Sequence, residues 1–244
     1  MRNIALILLL AVHTKELCAQ HSFGPVRENR SAPVLADPDC RMLYSSPKDT
    51  LSVFVIGDVM MHSAQLEKDC QPFLENISHK LKEADISIAN LEFALGGEPY
   101  SGYPAFSTPD YYPLYLAEDC GIDVFLTANN HVLDRGSKGL ERTAETYDRM
   151  ADSLGVFYTG IASNETAYKD NTPLIVHSKG IRIAIINFTY DTNNPQKKDW
   201  PRVQRMNKDE LSEAFREARQ KADFVLVFPH WGEEYQLTHS SVQE

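Results

Sequence analysis

The sequence predicts an α/β fold built on a largely parallel sheet. Four apolar runs of strand length are separated by segments with helical periodicity, and each run ends at a cluster of carboxylate, amide or imidazole side chains. The runs are Leu51–Ile56, Ile86–Ala89, Val124–Ala128 and Phe224–Phe228. Continuous apolar runs of this kind are typical of strands buried on both faces of a parallel sheet. Because such sheets bind ligands beyond the carboxyl ends of their strands, we expect the polar clusters to meet at one edge.

The composition is that of an ordinary globular protein with an acidic charge balance. The chain has 244 residues, of which 43% are hydrophobic and 24% are charged, and its formal net charge is −10. This length suffices for one large α/β domain or two small ones. An acidic balance argues against binding of nucleic acid, because phosphate contacts need a basic surface.

The first twenty residues have the pattern of a secretory signal peptide. A short positive start precedes nine apolar residues, Ile4–Val12, which are too few to span a bilayer. We therefore expect residues 1–20 to direct export from the cytoplasm, the alternative being an uncleaved N-terminal anchor. Residues 21–50 are rich in Pro, Asn, Asp and Ser and are predicted to be a polar leader that packs loosely on a domain comprising residues 51–244.

Four helices are predicted from apolar residues at helical spacing. They are centred on the segments Cys70–Ala84, Tyr111–Cys120, Leu140–Leu154 and Leu211–Ala218. Gly155 is expected to end the third helix, and Asn207 is expected to be the N-cap of the fourth.

Two further strands and one long loop complete the pattern. Leu174–His177 and Ile181–Tyr190 are predicted to pair through a turn at residues 178–180. The loop Gly96–Pro109 is dense in Gly, Pro, Tyr and Ser and directly follows the strand Ile86–Glu92. A long loop in this position is predicted to form a rim that faces a substrate.

Polar side chains at the first two strand ends are candidate ligands. Asp58 follows Gly57 at the end of the first strand and offers hard oxygen atoms to a metal. Asn90 and Glu92 lie two residues apart, so that on one strand both side chains face the same way. They suit a shared metal or a polar group of a substrate, or they form a hydrogen-bonded pair that fixes the following loop. The residues leave both interpretations open.

The sharpest cluster is Asn129-Asn130-His131 followed by Asp134. Turn formation accounts for one asparagine but not for all three side chains. His131 and Asp134 can pair, with the carboxylate orienting the imidazole for general acid catalysis. His230 and Trp231 follow the last strand as a candidate ligand and a cleft wall, or as a capping histidine with an aromatic lid. Oxygen and imidazole donors without a thiol predict a hard or borderline divalent metal.

Several other catalytic classes find little support. The sequence has no GxSxG motif, no Walker A loop and no GxGxxG motif. A pair of glycosidase carboxylates, Glu92 with Glu233 or Glu234, stays open because nothing in the sequence fixes their separation.

These motifs resemble the capsule synthesis CapA family, also called the PgsA or poly-γ-glutamate capsule family. The resemblance runs from about Leu51 to the last residue and is carried by an NLE motif, an ANNHxLDxG motif and an HWGxEY motif in this order. The matching segments are Val55–Met60, Ala84–Glu92, Ala128–Asp134 with Gly136, Thr159-Gly160, Asn187–Thr189 and His230–Tyr235.

The resemblance implies a four-layer α/β/β/α sandwich of the calcineurin-like metallophosphoesterase type. The implied function is biosynthesis of a poly-γ-glutamate-type surface polymer. The implied cofactor is a divalent metal, Mn²⁺, Zn²⁺ or Fe, and the implied partners are an anionic surface polymer or its precursor and membrane-bound polymer synthesis proteins. The implied roles are metal ligation by Asp58, Glu92, Asn130 and His230, catalysis by His131 and Asp134, and substrate contact by Asn90, Trp231 and Glu234.

The sequence departs from the pattern of those enzymes in two places. The opening Asp-x-His of ordinary metallophosphoesterases is reduced to Gly57-Asp58, which weakens one metal position. The family continues beyond His230 to a further histidine-rich segment, and Ser240–Gln243 has the capping-box spacing of a helix start, so we expect a sandwich that is incomplete at the C-terminus. Two functions stay open: a metal-dependent hydrolase or transferase, and a non-catalytic accessory that binds polymer or synthesis proteins.

Overall fold

The computed structural model describes residues 41–44, 50–68 and 73–244. The predicted signal peptide and most of the predicted leader lie outside these residues. The strands are β1 (Arg41–Tyr44), β2 (Val53–Val59), β3 (Ile86–Leu91), β4 (Val124–Leu126), β5 (Phe157–Thr159), β6 (Ile161–Ala162), β7 (Leu174–Ser178), β8 (Ile181–Thr189), β9 (Arg202–Val203) and β10 (Phe224–His230). The helices are α1 (Ser63–Leu66), α2 (Glu75–Glu83), α3 (Tyr111–Glu118), α4 (Gly136–Leu154), α5 (Glu165–Asn171) and α6 (Lys208–Lys221).

The larger strands form two four-stranded sheets. The parallel sheet has the order β2-β3-β4-β5, and all of its neighbours run in the same direction. The mixed sheet has the order β1-β7-β8-β10, in which β7 and β8 are antiparallel whereas β1 and β10 run parallel to their neighbours. Three of the four apolar runs therefore lie in one sheet and the fourth lies in the other. A short ribbon of β6 and β9 stands apart.

The two sheets pack face to face between helices, which gives the four-layer α/β/β/α arrangement. Apolar side chains of both sheets, such as Ile88 of β3 and Ile185 of β8, form the central core. The outer face of the parallel sheet packs against α3 and α4 in a second core. The outer face of the mixed sheet packs against α6 through Leu211, Ala214 and Ala218. The predicted α/β sandwich is thus confirmed.

The local signals in the sequence mark the ends of elements correctly. Gly155 ends α4 in the left-handed conformation at φ 68°, and its N–H donates to the Ala151 carbonyl. The side chain of Asn207 caps α6 by accepting from the N–H groups of Asp209 and Glu210. The very short β5, β6 and β9 and the helix α5 are additional to the predicted elements. The strand β1 lies within the segment predicted as a leader.

A β-bulge at Gly57 decides where Asp58 points. In β2, Val55 pairs with Ile88 and Ile56 with Ala89, but Asp58 pairs with Asn90, so that Gly57 is the extra residue. If Gly57 instead took a regular place in the ladder, Asp58 would share a face with Ile56 and point toward the helices. The bulge turns Asp58 to the face between the sheets, which is the face that Ile88 and Asn90 share.

The buried amide of Asn187 joins the two sheets near their carboxyl ends. It lies on β8 and accepts from the N–H groups of Thr127 and Ala128 at 3.0 and 2.7 Å, and it donates to the Phe228 carbonyl at 2.9 Å. The loop after β4 and the end of β10 are therefore held at the same point.

Close contact at Gly160 makes this junction sensitive to a single methyl group. Gly160 has φ +109°, and a Cβ there would lie 2.3 Å from Asn187 Oδ1 and 2.4 Å from the Ala128 nitrogen. We expect Gly160→Ala to lower the free energy of unfolding by about 3 kcal/mol or more, because both backbone strain and overlap must be relieved. Chemical denaturation measures the change.

Gly155→Ala is the matched control for this prediction. Gly155 also has a positive φ, +68°, but a Cβ there meets nothing within 4 Å. Gly155→Ala should therefore lower the free energy of unfolding by only about 1 kcal/mol, which is the cost of the backbone conformation alone. Equal losses in the two variants would contradict the role assigned to the Asn187 junction.

Candidate metal centre

Three side chains with metal-ligand chemistry meet at the carboxyl edge shared by the two sheets. Asp58 comes from β2, Glu92 directly follows β3, and His230 ends β10. One ligand atom of each lies within 4.8 Å of the others, so that the three can hold a single ion. Asp58 and Glu92 come from the parallel sheet and His230 from the mixed sheet, so the centre exists only because the sheets are packed together.

Asparagine side chains contact two of the three candidate ligands, Asp58 and His230. Asn90 Nδ2 donates to Asp58 Oδ1 at 2.7 Å and lies 3.4 Å from His230 Nδ1. Asn130 Oδ1 lies 3.0 Å from His230 Nε2, which places its amide oxygen within reach of the same ion. The side chain of Asn129 donates to the Leu91 carbonyl at 2.9 Å, which attaches the loop after β4 to the end of β3.

His131 and Asp134 form a buried pair beside the three candidate ligands. His131 Nδ1 lies 2.6 Å from Asp134 Oδ2, and Asp134 also accepts from the Phe106 N–H at 2.7 Å. A carboxylate at this distance places a proton on Nδ1 and leaves Nε2 facing Glu92, whose Oε1 is 3.8 Å away. The ring edge is further fixed by a T-shaped contact with Phe106 at 4.7 Å.

Phe106 belongs to the loop predicted to form a substrate-facing rim. Its contacts with His131 and Asp134 place residues 96–109 beside the candidate centre. Tyr100 and Tyr103 of this loop and Tyr111 at the start of α3 are exposed.

Asn193 also belongs to this site, although the sequence analysis did not find it. It lies in the loop after β8, its Nδ2 is 3.1 Å from His131 Nδ1 and 3.4 Å from Asp134 Oδ1, and its N–H donates to the Asn130 carbonyl. The rule that polar residues after a buried strand gather at the carboxyl edge would have found it, because Asp191-Thr192-Asn193 follows the strand β8 closely.

The two residues predicted as outer substrate contacts stand apart from these hydrogen bonds. Trp231 packs edge-on against Phe188, with ring centroids 6.3 Å apart, at the end of β10. Glu234 is exposed, but its charge still acts on Glu92. Asn90, the third residue predicted as a substrate contact, instead lies between Asp58 and His230 as a hydrogen-bonding partner of the candidate ligands.

Glu92 lies in an environment that disfavours its negative charge. Burial, the neighbouring carboxyl of Asp58 and the charges of Asp134 and Glu234 together raise the pKa of Glu92 to about 9. Only 9% of the Glu92 side chain is exposed, against 51% for Asp58. Burial also lowers the pKa of His230, which favours the neutral imidazole that metals bind.

The donor set and its electrostatics fit a divalent cation. Two carboxylates and one imidazole are ligands for Mn²⁺, Zn²⁺ or Fe²⁺, and the amide oxygen of Asn130 adds a fourth oxygen donor nearby. A cation between Asp58 and Glu92 would relieve the repulsion that raises the pKa of Glu92. Among the described residues, one such group of three is found, which corresponds to one candidate metal position.

Comparison with known proteins identifies the family. The sequence model described as bacterial capsule synthesis protein PGA_cap matches residues 52–244. The chain belongs to this family. The matched region begins next to β2 and includes every candidate residue described above.

Two relatives carry related names. The chain is 27% identical to the capsule biosynthesis protein CapA of Bacillus anthracis over 80% of its own length and 50% of the relative. It is 23% identical to the PGA biosynthesis protein CapA of Bacillus subtilis (strain 168) over 77% of its own length and 50% of the relative. The chain thus spans about half the length of these curated relatives. Within the described residues, we find no helix with the length and apolar character needed to cross a membrane.

The raised pKa of Glu92 predicts how the stability of the metal-free protein depends on pH. Between pH 4.5 and about 9, the folded chain binds a proton at Glu92 that the unfolded chain has released. Stability therefore falls as the pH rises through this window. With EDTA present at pH 8, we expect Glu92→Gln to raise the free energy of unfolding by about 2 kcal/mol, or Tm by about 4–8 °C.

The same comparison at pH 4.5 provides an internal control, because Glu92 is then protonated in the folded state and the two proteins should melt at nearly the same temperature. Glu213→Gln on the exposed surface of α6 should leave Tm unchanged at both pH values. A Glu92→Gln protein that melts below the parent at pH 8 would show that the carboxylate is stabilising in the metal-free chain.

Proposed function

We propose that this chain is a metal-dependent hydrolase or transferase in the biosynthesis of a poly-γ-glutamate-type surface polymer, acting in the bacterial cell envelope. The observation that carries the proposal is the meeting of Asp58, Glu92 and His230 beside the buried His131–Asp134 pair. The names of the two CapA relatives support the polymer as the class of substrate.

The residues of the candidate site have two proposed roles, which are metal binding and proton transfer. Asp58, Glu92 and His230 would hold the metal, with Asn130 beside them. The chemistry supplied by a divalent metal when bound is Lewis acidity toward a phosphoryl or carbonyl group and a lowered pKa of water. Asn90 keeps the Asp58 carboxylate in position through its 2.7 Å hydrogen bond.

His131 is suited to proton transfer at its Nε2 atom. Asp134 fixes the Nδ1 proton and the ring orientation, and Phe106 covers one side of the ring. The Nε2 atom then faces the space next to Glu92, and when both ring nitrogens carry a proton it can donate one to a leaving group, which leaves the neutral ring with its proton on Nδ1. This arrangement serves cleavage of a phosphoester bond and cleavage of an amide bond equally well, so the assay must include both.

A second candidate function is polymer binding without turnover. Tyr100 and Tyr103 of the rim and Tyr111 at the start of α3 are exposed. They favour this function because exposed aromatic side chains next to a site are typical of binding surfaces. In this alternative the His131–Asp134 pair would only stabilise the loop.

Metal binding is the first test of the proposal. Titration of Mn²⁺ or Zn²⁺ to one hundred times the Kd should raise Tm by about 5–10 °C, because the ion binds the folded chain alone. Asp58→Ala and His230→Ala should each abolish the rise, whereas Glu213→Ala on the exposed face of α6 should retain it. A folded parent protein whose Tm does not respond to either ion would contradict the metal centre.

A pair of variants separates the two candidate functions. On bis-p-nitrophenyl phosphate and on a γ-linked glutamate oligomer, His131→Ala should lower kcat by about 10²- to 10⁴-fold with little change in binding, because a general acid is lost. Tyr103→Ala should leave kcat unchanged. If Tyr103→Ala weakens binding of the oligomer while neither substrate is turned over by the metal-loaded parent, the chain is a binding protein.

A further inference from the structure

A cavity of about 530 Å³ opens beside the candidate metal centre. Its wall is made by the loop after β8, the strand β9 and the first turn of α6. The polar side chains that give it its character are Asp191, Asn193, Arg202, Arg205 and Glu210. Neither the sequence motifs nor the metal site use this cavity.

Asn193 belongs both to the cavity and to the candidate site. Its side chain contacts His131 and Asp134, and its backbone N–H donates to the Asn130 carbonyl. A molecule that fills the cavity therefore lies against the residue that contacts the proton-transfer pair. The cavity is thus placed to bind one end of a ligand while the next bond along the same ligand lies at the candidate metal centre.

The cavity presents two guanidinium–carboxylate pairs. Arg205 contacts Asp191 at 2.7 Å, and its second amino group donates to the Thr192 hydroxyl. Arg202 pairs with Glu210 and lies over the ring of Tyr168, 5.1 Å from its centroid. The walls therefore offer both signs of charge, and a polyanion alone would meet Asp191 and Glu210 as well as the arginines.

The Arg205–Asp191 pair is open enough to be exchanged. The side chains are 36% and 59% exposed, and ion pairs of this kind contribute only about 0–1 kcal/mol to stability. A ligand carboxylate can replace Asp191 on the guanidinium fork, to which it is geometrically matched, at little cost. Asp191 is then available for a ligand cation.

We propose that this cavity binds an amino-acid head group, that is, an ammonium and a carboxylate on the same carbon atom. The carboxylate pairs with Arg205, with Arg202 adding positive charge, and the ammonium pairs with Asp191 or Glu210. A ligand that carries both charges pairs with both walls, whereas a ligand that carries only a carboxylate displaces Asp191 from Arg205 and gives it no cation in exchange.

The identity of the ligand rests on the proposed function, while its head-group chemistry rests on the cavity alone. In a γ-linked glutamate chain, the residue at the amino end carries a free ammonium and a free carboxylate on one carbon. Interior residues carry the carboxylate only. The cavity would therefore select the amino end of the polymer and not its interior.

Isothermal titration calorimetry with EDTA present tests the proposal independently of the metal. The probes are γ-linked triglutamate, its N-acetylated form, and α-linked triglutamate, whose first residue has its α-carboxyl consumed in the peptide bond. We expect the γ-linked trimer with a free amino group to bind at least tenfold more tightly than either of the others.

Substitutions assign the binding to the cavity. Arg205→Gln and Asp191→Asn should each weaken binding of the γ-linked trimer at least tenfold. Arg216→Gln is the matched control, because Arg216 lies on α6, is 66% exposed and also pairs with a glutamate. Each variant is first shown to keep the parent's Tm and its response to Mn²⁺, and Asp191→Asn, which keeps both guanidinium groups, covers the case in which Arg205→Gln does not fold.

Three results would overturn the proposal: no binding of the γ-linked trimer, equal binding of the N-acetylated trimer, or binding within twofold of the parent in a folded Arg205→Gln or Asp191→Asn variant. None of them touches the metal centre, whose presence is read from the Mn²⁺ titration. Conversely, binding of the trimer by a chain that binds no metal would support the proposal for the cavity and contradict the proposed metal-dependent activity.

Discussion

The buried amide of Asn187 is the interaction on which the geometry of the candidate site depends. It accepts from two backbone N–H groups at the end of β4 and donates to the Phe228 carbonyl on β10. Ala128 precedes His131 by three residues, and Phe228 precedes His230 by two. One side chain thus fixes the spacing between the loop that carries the His131–Asp134 pair and the strand that carries His230. Loss of the amide would remove its hydrogen bonds to the buried Ala128 N–H and Phe228 carbonyl, which is costly in an apolar surrounding.

The side chains of the candidate site are held close together although two of them carry carboxyl groups whose negative charges repel. The carboxyls of Asp58 and Glu92 are neighbours, and burial of Glu92 makes their repulsion stronger than it would be in water. Packing of the two sheets and hydrogen bonds from asparagines keep these groups together. Such an arrangement is typical of a site whose stability is completed by a ligand, since a cation held there would relieve the repulsion and link the two sheets.

The sequence is a good guide to the elements with strong periodicity and a weaker guide to the rest. The strands β2, β3, β8 and β10 have long apolar runs, so their positions could be predicted to within a few residues. The strands β5, β6 and β9 have three residues or fewer, which is too short for a period to appear. That the last apolar run joins a second sheet could not be derived from hydrophobicity, because strands of either sheet are buried in the same way. The resemblance implied two sheets but not which run lies in which.

The residues of the candidate site also differ in how well the sequence predicts their positions. Asp58, Glu92 and His230 could be predicted because parallel strands bring their carboxyl ends to one edge. Asn193 follows β8 closely, so the same rule extends to it, but its polar loop has no motif that distinguishes it from its neighbours, and it lies about sixty residues from the groups it contacts. The orientation of Asp58 was likewise hidden, since a single-residue bulge does not alter the hydrophobic pattern of β2.

The bulge at Gly57 also separates the residue count along β2 from the face on which a side chain lies. Strict alternation from Ile56 would assign Asp58 to the side of the helices, whereas its pairing with Asn90 puts it between the sheets. Deletion of Gly57 would keep the aspartate opposite Asn90, but regular pairing of the intact segment would turn it away from the candidate site. Alignment of relatives by strand register is therefore a better guide to this site in the family than the spacing between the apolar run and the aspartate.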